Sequence, residues 1–495
     1  MSVRYVAGDL SGIQDYVLGV RGEGKAQGKR LRARSFQVEL FETAALTRVC
    51  DALTVSDDDV LVRGGGGFLV RNRSDASKAK LEELESDVQR RLYKESGSEV
   101  RFSLGWGATD ADARSRLEHS KRRPWVSVLQ SGGKWDLPAW HLPEISPPCP
   151  LCRRRRATVI PDGEDGPCKT CTMSSRLGES LTRWNWMRPV SCGSGGSVMA
   201  LGVPFEAVDR QRAGAFRVRR AIPRDPATGD PFTFENLALT ALGTKRLAVL
   251  KADVDDMGER VGKIAREDAS LRKLRCLSRN LHAFFSDTIQ DLLADSWHTI
   301  YTVFAGGDDL LLIGPWNIVF DFAQALHQAF NSGPGREYPG LTFSAGIAVT
   351  PHRLPIRHAI GRAEELLASA KRCPGKNRCS SLGATWSWDR HPAVLADGQR
   401  LCRAITEGAA SRSLVQRLLT ILEPDVDPEM RAARWNYHVQ RGSPRCKSEI
   451  RSWADRVLEL MDDPRTPESL AEPAASIRYA LLATRSANER ETDAR

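Results

Sequence analysis

The chain has 495 residues, with 41% hydrophobic and 27% charged side chains, which excludes a disordered or fibrous protein and leaves room for several domains. No apolar run approaches bilayer length, and Met1 leads directly into a strand-like segment, so we expect a cytoplasmic protein without membrane contact. The formal charge of +10 suits a polyanionic partner such as nucleic acid, or simply a soluble basic surface.

In chain order, the first element is a strand over Val3 to Ala7, ending at Asp9-Leu10-Ser11-Gly12. A long helical stretch leads to an apolar hairpin, Val62-Arg63-Gly64-Gly65-Gly66-Gly67-Phe68-Leu69-Val70. A strand at Phe102-Ser103-Leu104-Gly105-Trp106-Gly107 and a helix over Ala111 to Arg123 follow.

Next come Cys149-Pro150-Leu151-Cys152 and Cys168-Lys169-Thr170-Cys171, with fifteen residues between the pairs. Two such loops can complete a thiolate tetrahedron around zinc with no open position, so the site is expected to be structural. Two redox pairs are the alternative reading. Arg153 to Arg156 reads as a solvated face or a phosphate contact, and the other seven cysteines as core or incidental.

The first pattern then repeats. A strand over Leu247 to Ala252 ends in Asp253-Val254-Asp255-Asp256, 244 positions after Asp9. The hairpin Val303 to Leu312 and the strand Phe343 to Ala348 return at offsets of 242 and 241. A helix over Ile356 to Arg372 closes the copy. Strand, helix, hairpin, helix and strand in each copy suit a βαββαβ sheet with its helices on one face.

The copies differ in chemistry. The later tip reads Gly306-Gly307-Asp308-Asp309 where the earlier one carries only glycines. Gly and Asp alone make a plain turn. With Asp253 on the neighbouring strand end, the three acids can hold two divalent ions about 3.5–4 Å apart, which would promote in-line attack on an α-phosphate with pyrophosphate leaving. Magnesium, or manganese, suits a few carboxylates plus phosphate oxygens. Gly306 and Gly307 would let backbone approach a nucleotide closely. Lys371 and Lys376 stand at and just after the end of the last helix and could reach a triphosphate, although Lys371 could equally complement the helix dipole.

From about residue 390 the pattern is helical. Leu414, Val415, Leu418, Leu419 and Leu422 form one stripe; Trp453, Val457, Leu458 and Met461 form another. The arginine- and acid-rich final ten residues are expected to fray.

These motifs resemble the large subunit of type III CRISPR interference complexes, the CRISPR polymerase family. Gly8 to Gln14 and Leu31 to Phe36 look like the opening of its first palm; Ala252 to Gly258 and Ala305 to Asp309 look like the metal motifs of its second; Lys371 to Asn377 looks like its closing lysine-asparagine motif. The cysteine module lies between the palms, as in the family. The resemblance implies an α+β chain of two tandem ferredoxin-like palms, an inserted zinc module and a C-terminal helical domain. The divisions are 1–140, 141–242, 243–388 and 389–495.

It also implies conversion of ATP to cyclic oligoadenylate on binding target RNA, within a complex of other type III subunits and a guide RNA. Asp253, Asp308 and Asp309 would be catalytic metal ligands, with the Val254 carbonyl assisting, and Ser11 and Ser344 would contact adenosine. Two departures stand out. No histidine-aspartate nuclease motif precedes the first palm, so no such DNase activity is expected, and Asp256 stands where the family usually has asparagine. A non-catalytic scaffold of an RNA complex remains as an alternative. So does a cyclic dinucleotide synthase, although Asp309-Leu310 departs from the Glu-Phe usual after Gly-Gly-Asp there.

Overall fold

The structure, a computed structural model, describes residues 3–19, 25–74, 77–126, 147–153, 155–159, 165–212, 214–218, 221–268, 271–441, 444–461 and 470–485. Arg154, the side chain of Cys446 and the final ten residues lie outside this description. The chain divides into two compact units: Met1–Ile222 with Asp256–Ala294 and Thr302–Asp309, and Pro223–Asp255 with Asp295–Tyr301 and Leu310–Arg495.

The first unit opens with β1 (Tyr5–Ser11), α1 (Ile13–Leu18), α2 (Lys25–Leu53), β2 (Val60–Gly64), β3 (Gly67–Arg71), α3 (Lys78–Ser96), β4 (Arg101–Gly107) and α4 (Asp110–Lys121). The four strands form an antiparallel sheet in the order β2-β3-β1-β4. Local chemistry sets the helix ends. Ser77 caps α3 by accepting from Lys80 N, Gly97 closes it in the left-handed region, and Thr109 and Asp112 form a reciprocal capping box on α4.

Consecutive residues of β1 and β4 are buried, which requires cover on both faces. Ala7, Leu61 and Leu69 pack with Ala113 and Leu117 of α4 on one face. Helices α2 and α3 also meet the sheet strands. The expectation of helices on a single face is therefore corrected. The helix after β4 supplies the second layer.

The rest of this region contains β5 (Thr158–Val159), β6 (Asp165–Gly166), α5 (Lys169–Ser180), β7 (Trp186–Pro189), β8 (Val198–Ala200), β9 (Val203–Val208) and β10 (Phe216–Arg217). The last four form a separate sheet, β10-β7-β9-β8, that the sequence pattern did not reveal. Its strands are too short for a visible period.

The repeat then supplies α6 (Phe234–Leu239), β11 (Arg246–Val254), α7 (Met257–Glu267), α8 (Arg272–Ala283), α9 (Ile289–Ser296), β12 (Tyr301–Gly306), β13 (Asp309–Pro315), α10 (Trp316–Ser332), α11 (Pro334–Glu337), β14 (Phe343–Pro351), α12 (Ile356–Arg372), β15 (Arg378–Ser381) and β16 (Ala384–Ser387). Its sheet runs β12-β13-β11-β14-β15-β16, the order of the first sheet with two strands added beyond β14.

A shared steric detail marks the duplication. A Cβ on Gly105 would lie 2.1 Å from the Ala113 carbonyl oxygen, and one on Gly346 would lie 2.2 Å from that of Ala363. In each copy a glycine lets the following helix press onto the strand. Gly346→Ala is expected to destabilise the protein by about 1–3 kcal/mol through overpacking. Gly361→Ala, on α12 with open space around its Cβ, is expected to be neutral or mildly stabilising. Urea unfolding of the two variants separates these outcomes.

The C-terminal helices are α13 (His391–Thr406), α14 (Arg412–Ile421), α15 (Pro428–Gln440), α16 (Pro444–Met461) and α17 (Ala471–Ala483). Both predicted stripes meet in one cluster, where Leu414, Val415, Leu418, Leu419 and Leu422 join Trp435, Trp453 and Val457. No described helix is long and apolar enough to cross a membrane.

His391, at the start of α13, is fully buried. Its Nδ1 accepts from Trp386 Nε1 at 3.0 Å, which leaves Nε2 to donate to the Phe320 carbonyl at 3.1 Å. This is the neutral imidazole. Burial lowers its pKa to about 4 from an ordinary 6.5. The unfolded chain therefore binds this proton first as pH falls. Stability is lost between pH 6.5 and about 4, by about 3 kcal/mol for this group. The stability difference between wild type and His391→Gln should shrink by that amount across the same window, as measured by denaturant midpoints.

Candidate functional site

The two copies build the same corner at the end of their first strand. Asp9 lies opposite Ser103 in the β1–β4 register, and Asp253 lies opposite Ser344 in the β11–β14 register. The chain then turns through a left-handed residue into a helix: Gly12 with φ 83°, and Asp256 with φ 53°. A short acid tolerates this conformation, as asparagine does, so Asp256 has a backbone role at this position.

A lysine from the closing helix meets each corner. Lys121 Nζ lies 3.1 Å from Asp9 Oδ2, to which the Ser11 hydroxyl also donates at 3.2 Å. Lys371 Nζ pairs with Asp253 Oδ2 and donates to the Val254 carbonyl at 3.3 Å. Its ammonium thus sits on the two oxygens that the sequence assigns to metal. Burial first, then repulsion from Lys376 and Lys251, pushes the Lys371 pKa down to about 8. Lys121 was not identified from sequence. The visible signal was that Asp9 and Lys121 mirror Asp253 and Lys371.

Asp255 was also missed. It is buried and accepts from Thr342 Oγ1 at 2.9 Å, Ser344 Oγ at 2.8 Å and Asn377 N at 3.0 Å. This carboxylate ties β14 and the Lys376–Asn377 turn to the end of β11. Lys376 and Asn377 are both left-handed there. Ser344 was expected to touch adenosine; instead it is fully buried, with its hydroxyl committed to Asp255.

The tips are two-residue turns. Gly65 and Gly66 join β2 to β3, and Gly307 and Asp308 join β12 to β13, which begins at Asp309. Within the first unit the tips touch. A Cβ on Gly307 would lie 2.7 Å from Gly65 N, and one on Gly64 would lie 2.8 Å from the Gly307 Cα. Gly307 has φ 66°, so glycine is required there twice over. Gly306 meets no such crowding. Burial raises the Asp308 pKa above its ordinary value. In the first copy, the position equivalent to Asp309 is Gly67, which pairs with Asp9; its Cβ would lie 3.3 Å from Asp9 Oδ1.

The four cysteines converge as the spacing predicts. Their sulfurs all lie within 4.8 Å of one another and are buried, with Cys152 and Cys168 3.9 Å apart. A zinc tetrahedron with bonds of about 2.3 Å has edges of about 3.8 Å, so the donor set fits. Cys168 N donates to Cys149 Sγ at 3.2 Å, as amides do to metal-bound thiolates. Contact with Cys152 pushes the Cys171 thiol far above its ordinary range.

Comparison with known proteins agrees with this architecture. Residues 246–380 match the family model "Cas10/Cmr2, second palm domain", and residues 3–128 match "Csm1 subunit domain B"; together these cover over half of the chain. A Cas10/Csm1 protein of Thermococcus onnurineus, named as a CRISPR system single-strand-specific deoxyribonuclease of subtype III-A, is 26% identical over 87% of this chain and 63% of its own length. The Mycobacterium tuberculosis protein of the same name is 24% identical over 93% of this chain and 65% of its own. The chain thus spans under two thirds of the length of these relatives.

Among solved structures, the Csm1-Csm4 cassette with one ATP superposes with a TM-score of 0.70, and the cassette with cA3 with 0.69. Each is 20% identical and covers 98% of this chain and 70% of the other. With both family models matched in order along a chain of this fold, it belongs to the Cas10/Csm1 family of type III-A CRISPR large subunits.

Proposed function

We propose that this chain is the nucleotidyltransferase subunit of a type III-A effector complex, converting ATP to cyclic oligoadenylate when target RNA binds. Its two βαββαβ sheets are read as tandem ferredoxin-like palms within the four divisions at 140, 242 and 388. The carrying observation is the Lys371 ammonium on Asp253 Oδ2 and the Val254 carbonyl, a cation already held by two of the assigned oxygens. The register of the first copy adds support, since it sets the Asp309-equivalent position against the Asp9 carboxylate. β13, which starts at Asp309, neighbours β11, which ends just past Asp253.

In this reading Asp253, Asp308 and Asp309, with the Val254 carbonyl, hold magnesium or manganese. Bound there, the metal supplies Lewis acidity for nucleotidyl transfer. The chain's own residues do the rest. Lys371 would meet the triphosphate as a point charge, with Lys376 beside it. Asp255 holds the Lys376–Asn377 turn to the strand, so these cations are positioned before substrate arrives. The bare backbone of Gly306 leaves room for a phosphate. Ser11 and the first copy's corner bind a second ATP, with glycines at the hairpin tip where the later copy carries acids. The four cysteines hold structural zinc.

The partners follow from the relatives: a Csm4-like subunit, which is crystallised with Csm1 in the similar structures, together with guide and target RNA. The test is mass analysis of products formed by the assembled complex with ATP, Mg²⁺ and target RNA. Cyclic oligoadenylate supports the reading. Complete absence of nucleotide products favours a scaffold, and a cyclic dinucleotide alone favours the synthase alternative.

A further inference from the structure

The cysteine cluster is wired to the β1–α1 corner by two routes, both within the first unit. In the first route, Cys149 N donates to the Arg155 carbonyl at 2.6 Å. The Arg155 guanidinium donates to Glu99 Oε1 at 2.8 Å and to the Ser96 carbonyl. Gly97 has no side chain to obstruct it; a Cβ there would lie 2.3 Å from Arg155 Nε. Glu99 in turn seats the corner, because a Cβ on Gly12 would lie 2.3 Å from the Glu99 carbonyl oxygen.

The second route runs through α5, which starts between Cys168 and Cys171. Ser174 Oγ donates to Gln37 Oε1 at 3.1 Å, and the Tyr16 hydroxyl donates to the same oxygen at 2.8 Å. Arg34 donates to the Tyr16 carbonyl at 2.7 Å, and Tyr16 N donates to the Gly12 carbonyl at 3.0 Å. Arg32 ties α2 to α5 by donating to the Gly178 carbonyl at 2.8 Å. Tyr16, Arg34, Gln37 and Ser174 are all buried, so water does not compete for these bonds.

We propose that the four-cysteine module is a positional brace for the first palm's nucleotide corner, with Arg155 and Gln37 as the positioning residues that carry its geometry to Gly12 and Tyr16. The module thereby sets the second ATP's site from the far side of α2. Its effect on nucleotide rests on the function proposed above; its effect on the corner does not. Two independent routes converge on one short segment, Gly12 to Tyr16, and both begin at the cluster. A zinc module that served only local folding would need neither.

The test is hydrogen exchange on the full chain, with Gln37→Leu and Arg155→Met compared with wild type at equal zinc content. Exchange of the Tyr16–Gly19 amides should speed about tenfold or more in both variants, while α12 stays protected. In the assembled complex, the ATP KM should rise about fivefold or more with kcat little changed. Ser174→Ala, which removes one of the two donors to Gln37, gives a milder version of the same shift if either variant folds poorly. Unchanged exchange at the corner in zinc-loaded variants overturns the brace. Faster exchange with an unmoved KM overturns its link to nucleotide. A wild-type complex that makes no product defeats the enzymatic reading alone, because the exchange result still judges the brace.

Discussion

Converting Asp308 and Asp309 together to alanine is expected to cut product formation from ATP by at least roughly 100-fold, the scale of losing preorganised transition-state electrostatics. The variant should still fold. Asp308 is a partly buried carboxylate whose desolvation penalises the charged form, so its removal relieves a cost. The first hairpin carries no acid at the equivalent positions, Gly66 and Gly67. Gly307, which supplies the left-handed turn and the close approach to Gly65, is untouched. Thermal midpoint and target RNA binding should therefore match wild type while cyclic oligoadenylate disappears. Full activity in the double variant removes these residues from the mechanism.

The second large effect is loss of zinc. Structural zinc contributes roughly 10–16 kcal/mol of apparent binding free energy in isolated zinc-finger peptides, and that energy is folding energy. Cys171→Ser should drop the zinc content well below one ion per chain and lower the thermal midpoint. It should also open α5 to protease. The damage should spread beyond the module, because Arg30, Arg32 and Arg34 of α2 are buried around it. With the thiolates gone or dispersed, Arg30 keeps its burial and loses the negative charge of Cys171 and its neighbours. Metal content unchanged in the variant would show that the four sulfurs do not share one ion.

The duplication was legible because it lies in apolar strands and glycines, whose type is dictated by packing. Gly105 and Gly346 sit at matching positions and meet matching carbonyls. The cysteine cluster was legible because its spacing has few other uses. What stayed hidden depends on side chains meeting across the fold. Asp255 reads as one more acid in an acidic run, and only the register of β11 against β14 makes it the acceptor of three bonds. Nothing in the sequence marks Arg30, Arg32 and Arg34 as buried, with Arg32 bonded to α5 and Arg34 to α1. Ser344 was expected at adenosine only through the family resemblance, and strand alternation alone could not say that it turns inward. The sheet over residues 186–217 escaped notice because two- to six-residue strands carry too few alternations to register.

The contact of the two glycine tips carries an evolutionary consequence. An ancestor built from two identical acidic hairpins would have crowded like charges where Gly64 and Gly65 now lie flush against Gly307 and Asp308. With glycines at the tip of the first copy, backbone meets backbone at this contact. Restoring acids to the earlier tip would wedge the two turns apart instead of reviving a second reaction centre.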